Sequence, residues 1–139
     1  MSHEALADLH TAIVDARHGY ETAVDKAENP ALVSLFRELH GLHGNAHSDV
    51  HTALTAKGIR PDDDGSFVGT IEKTMISLRS AFLGVDTGSL GSFASVEESV
   101  LGKYDEAISE ERDASIAAML RGHRERLAAK IAEMKRLAA

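Results

Sequence analysis

Apolar residues return at helical intervals along most of the chain. Leu6, Leu9, Ile13, Ala16, Tyr20, Val24 and Ala27 form a first stripe, and steps of three and four predict a helix from Ser2 to Glu28. Asn29-Pro30 ends it, because a residue before proline is pushed out of the α region while proline suits a first helical turn. A second stripe, Leu39, Leu42, Ala46, Val50 and Leu54, predicts a helix from Pro30 to Lys57, stopped by Gly58. Residues Gly58–Gly65 read as a polar loop, and Ser66–Leu83 as a shorter helix with Phe67, Ile71, Met75 (or Thr74), Leu78 and Phe82 inward. After the turn-rich Gly84–Gly91, a third long helix starts between Asp86 and Ser92 and runs to Glu111. Its inward positions are Phe93, Glu97, Val100, Tyr104, Ile108 and Glu111. Asp113 can cap a fourth, with Ile116, Leu120, His123, Leu127, Ile131, Met134 and Leu137 inward.

Connection lengths order these helices. The turn at Asn29-Pro30 is so short that the first two must form an antiparallel hairpin. The stretch from Gly58 to Gly91 is long enough to traverse the bundle, so the third helix is expected to run parallel to the second. The expected fold is therefore all-α, a single domain over residues 1–139 with the one-crossover topology of ferritin-like four-helix bundles. The alternative takes Ser66–Leu83 as a full fifth member.

Composition agrees with helices: 4% aromatics, two prolines and much Ala, Leu, Glu and Arg. The formal charge of −7 argues against nucleic acid or an anionic membrane as partner, since both need a basic face. No apolar run reaches the ~20 residues of a membrane span, and the acidic start MSHEALADLH is no signal peptide. The absence of cysteine excludes disulfides, thiolate metal sites and cysteine nucleophiles, with the cytoplasm as the default compartment. A homodimer through an exposed helix face is left open.

The candidate chemistry is polar residues set into apolar stripes. His40, His43, His47 and His51 follow one another at steps of three, four and four, so they share one side of the second helix. His43 falls inside its apolar arc, His47 on the border, and His40 and His51 toward solvent. Gly41 and Gly44 leave room beside them, for a close helix neighbour or a ligand. Arg17, Glu97, Tyr104 and His123 intrude on the other stripes. Counted along the expected bundle, these four, His43 and His47 lie within roughly two turns in depth. There is no phosphate-cradling loop, nucleophile elbow or HExxH, so hydrolase and transferase readings find no motif.

The runs GSFVGTIEKTMISLRSAFLG (Gly65–Gly84), RHGYETA and VEESVLGKYDEA resemble an uncharacterised bacterial ferritin-like family, known mainly as a domain of unknown function. The resemblance implies a four-helix ferritin-like bundle, with a carboxylate-rich metal site as an option. This chain departs from such a site twice: Arg17 stands where a glutamate is wanted, and Leu120 precedes His123 by three. Two readings follow. In one, Arg17 pairs with Glu97 in place of a cation, Tyr104 and the histidines complete a polar network, and the role is non-enzymatic. In the other, His43, His47, Glu97 and His123 hold one Fe, Zn or Mn ion with redox or metal-handling activity.

Overall fold

The structure, a computed structural model, describes residues 4–61 and 90–138. The expected Ser66–Leu83 helix, and with it the course of the long connection, lies outside the described residues. Within them the chain forms four helices: α1 (Glu4–Lys26), α2 (Pro30–Ala56), α3 (Leu90–Glu110) and α4 (Ala114–Ala138).

Local chemistry sets their ends. The Asn29 side chain accepts from the Ala31 amide at 2.8 Å, with Pro30 at the first helical position. At the far end of α2, Gly58 takes φ +76°. Its amide reaches Thr55 O and that of Ile59 reaches Leu54 O, both at 3.0 Å, which closes a Schellman turn and packs Ile59 against the core. Asp113 caps α4 as expected, its Oδ1 accepting from the amides of Ser115 and Ile116.

Contacts between helices give the topology. Glu21 meets His40, and Tyr20 meets Phe36, so α1 and α2 are antiparallel. Phe36 packs on Phe93 near the starts of α2 and α3, and Lys57 Nζ donates to Glu111 Oε2 at 2.9 Å near their ends. Helices α2 and α3 therefore run parallel, as their connection lengths predict. Lys130 pairs with Glu38 of α2, while Arg124 and Lys135 pair with Asp105 and Glu98 of α3, which makes α4 antiparallel to both. The result is a four-helix, all-α bundle with α2 and α3 on one diagonal.

Its core follows the stripes. Leu9, Ile13, Tyr20, Phe36, Leu39, Phe93, Leu120, Leu127 and Met134 are all buried, each such side chain contributing roughly 1.5–3 kcal/mol of transfer free energy. Two departures stand out. Leu137, expected inward, is 45% exposed at the end of α4. Helix α1 is buried over a wider arc than its stripe, taking in His10, Thr11, Val14 and Asp15. No described helix is long and apolar enough to cross a membrane.

Candidate functional site

Two polar side chains of the core, His43 and Tyr20, converge on Glu97, on the inward face of α3. Its Oε2 accepts from the Tyr20 hydroxyl at 3.1 Å and lies 2.7 Å from His43 Nε2. Three helices thus meet at one carboxylate oxygen. The His43 and Glu97 side chains are both 0% exposed. One proton bridges the 2.7 Å gap, whether it resides on nitrogen or on oxygen.

Aromatic rings hold the trio in place. Tyr20 stacks on His43, with centroids 5.9 Å apart and planes at 15°, and on Phe93 at 6.0 Å; Phe36 packs against both Tyr20 and Phe93. Inside this aromatic shell the polar atoms depend on one another. Burial drives the Tyr20 hydroxyl pKa well above the ordinary tyrosine value, and the Glu97 charge and hydrogen bond push it the same way.

Tyr104, on α3 two turns beyond Glu97, is also fully buried, and its hydroxyl has no hydrogen-bond partner. Its pKa is raised by burial first and by the Glu97 charge second, with Arg126 opposing and Asp49 adding. A second polar group forms at the α2–α4 contact. There His123 Nε2 is 2.8 Å from Asp49 Oδ2, and Arg126 Nη2 lies 3.0 Å from His123 Nδ1. A guanidinium can only donate, so Nδ1 is the acceptor and the Nε2–H donates to Asp49.

The expected Arg17–Glu97 pair is not formed. Glu97 takes His43 and Tyr20 as partners, while Arg17 lies along Gly44, its Nε buried without a hydrogen bond and 3.9 Å from where a Gly44 Cβ would be. A side chain at Gly44 would meet Arg17 at ordinary van der Waals distance, so this packing does not itself require the glycine. The four metal candidates separate too. His43 and Glu97 pair, His123 turns to Asp49, and His47 packs on His10 and His51 with ring centroids at 5.0 and 5.8 Å. Among the described residues no group of three or more His, Asp and Glu side chains is arranged to hold a metal ion. Among the described residues a di-metal carboxylate centre is not arranged at this level, where Glu97 Oε2 is engaged by His43 and Tyr20.

Three partners had escaped the sequence pattern. Tyr20 reads as an apolar stripe position, and nothing in the spacing shows where its hydroxyl points. Asp49 and Glu21 lie outside the apolar stripes, so the spacing does not single them out; Glu21 is held by His18 at 3.5 Å and His40 at 3.2 Å, which together outweigh its small burial and lower its pKa.

The family model described as "Domain of unknown function (DUF2383)" matches residues 1–110. Among solved structures, the chain is similar to a conserved hypothetical protein, rv2844, from Mycobacterium tuberculosis, with a TM-score of 0.73 and 13% identity over 96% of this chain and 94% of that one. At that identity the likeness supports the all-α bundle alone. No curated protein matches the chain.

Proposed function

This chain belongs to the DUF2383 family of unknown function, and on that premise we propose that it is a non-enzymatic, ferritin-like bundle protein whose mid-bundle position is closed by a polar network. The observation that carries the reading is Glu97 Oε2 engaged by both His43 and Tyr20. Their side chains, and that of Tyr104, are fully buried. Catalysis needs a reacting group within reach of a substrate, and this cluster presents none at the surface. What the network does supply is a link among α1, α2 and α3 at one depth. The net charge of −7 and the lack of cysteine support a cytoplasmic protein whose partners are neither nucleic acid nor membrane.

A second reading has one observation in its favour. Glu97 Oε1 and His43 Nδ1 are buried without hydrogen-bond partners, and such atoms call for an explanation such as a water or an ion. The test compares untagged wild type with Glu97→Gln for Fe, Zn and Mn by elemental analysis, and with Glu97→Ala for stability. A structural network predicts equal metal content in wild type and Glu97→Gln. It also predicts a loss of about 3–5 kcal/mol in Glu97→Ala, because the His43 and Tyr20 donors are then stranded. Metal lost on Glu97→Gln would replace this reading with a metalloprotein.

A further inference from the structure

The tautomer of His123 gives this residue a use beyond holding α2 to α4. Both of its ring nitrogens are engaged: Nε2–H donates to Asp49 Oδ2 at 2.8 Å, and Nδ1 accepts from Arg126 Nη2 at 3.0 Å. The His123 side chain is 5% exposed, whereas the Asp49 carboxylate is 54% exposed and Arg126 faces solvent. Arg126 folds back along its own helix, where a Cβ at Gly122 would lie 3.7 Å from both of its terminal nitrogens. What the imidazole offers this guanidinium is one lone pair, on Nδ1.

We propose that His123 is a proton-operated latch, holding the Arg126 guanidinium while the ring is neutral and releasing it when the ring is protonated. A proton can add only at Nδ1, because Nε2 already carries one. It takes the lone pair that accepts from Arg126, so that bond is lost and two cations face each other. The guanidinium keeps its charge, and as the exposed partner it is the group that moves away. The bond to Asp49 survives, since Nε2–H still donates, and becomes an imidazolium–carboxylate pair. Acidification therefore leaves α2 and α4 joined and frees one arginine. Before it, Asp49 and Arg126 cancel around an uncharged ring; after it, the group carries one net positive charge.

The surrounding charges leave this exchange to the three residues. From α3 the facing group is Tyr104, whose pKa is raised by burial first and by Glu97 second, so it stays neutral. Arg124 is paired with Asp105 on the α3 side, and Lys130 with Glu38 on the α2 side. Histidine is the side chain whose charge ordinarily changes between about pH 5 and about pH 8.

Nuclear magnetic resonance of the untagged, ¹⁵N-labelled full chain tests the latch. At about pH 8, long-range ¹H–¹⁵N spectra should show His123 protonated at Nε2 alone. As pH falls toward about 5, rotation about the Arg126 Nε–Cζ bond should quicken about tenfold or more, in step with protonation of His123. In folded His123→Phe, which has no ring nitrogen, Arg126 should rotate at the fast rate at both pH values. A proton on Nδ1 at about pH 8, a ring that stays neutral down to about pH 5, or Arg126 rotation that ignores the ring's protonation overturns the proposal. Those three readings come from wild type. An unchanged pH dependence of Arg126 in His123→Phe overturns it as well.

Discussion

The two tyrosines give the buried network an alkaline signature. Both are fully buried, and burial together with the Glu97 charge raises both pKa values in the folded state. In the unfolded chain each ionises near pH 10. A raised folded value means that the stabilisation is complete below about pH 10 and is lost as pH climbs toward the folded value. Each tyrosine kept neutral in the fold lowers stability by about 1.4 kcal/mol per pH unit above that point. The two together give about 2.7 kcal/mol per unit, so by pH 12 the fold loses roughly 5 kcal/mol, comparable to the whole stability of a marginal domain. The chain has only two tyrosines, so near-ultraviolet tyrosinate absorbance follows both. Urea unfolding at steps from about pH 9 to about pH 12 should show the slope, with tyrosinate appearing only as the protein unfolds. Tyr20→Phe should halve the tyrosine share of the slope. At neutral pH it should cost about 1.5–3 kcal/mol, the worth of a hydrogen bond to a charged group. Lys130, whose pKa is also raised, loses stability in the same direction but is common to both proteins and cancels. Tyrosinate titrating near pH 10 in the folded protein, or an unchanged slope in Tyr20→Phe, would refute the reasoning.

Val100→Asp and Leu127→Asp place a charge in the buried stripes and should each cost about 3 kcal/mol or more in urea denaturation. His51→Ala should cost under about 1 kcal/mol, and equal damage from all three would mean that the helix faces are wrongly placed. Asp113→Ala removes the acceptor for two α4 amides and should lower stability by about 1 kcal/mol. Gly58→Ala forces a side chain into φ +76° and should cost a similar amount, about 1 kcal/mol, visible as a shift in the urea midpoint.

Periodicity made the helices and their inward faces readable, because burial on a helix follows the 3.6-residue turn and little else. Connection lengths made the parallel α2–α3 arrangement readable as well. Depth was a weaker guide to partners. Arg17 and Tyr20 are less than one turn apart on the same side of α1, and the sequence favoured the charge; the structure gives Glu97 to the phenol. The histidine run shows why. Steps of four advance about 40° around the helix, so the run drifts and its members face different neighbours. His40 meets Glu21, His43 meets Glu97, and His47 and His51 meet His10. Which neighbour each finds depends on the rotation of a second helix, and no single-helix pattern records that. His10 went unread for the same reason.

The Glu97 trio also divides unevenly between the two halves of the chain. Tyr20 and His43 belong to the α1–α2 hairpin, and Glu97 to the α3–α4 hairpin. Either hairpin alone would leave its share of the network unmatched, so each carries a recognition element for the other. That element is indifferent to whether the complementary hairpin comes from the same polypeptide. The 28 residues from 62 to 89 join the halves, and two chains exchanging hairpins would rebuild the same carboxylate contacts twice over. Domain exchange is thus a route to a dimer that needs no new interface, favoured by concentration and opposed by the shorter closure within one chain.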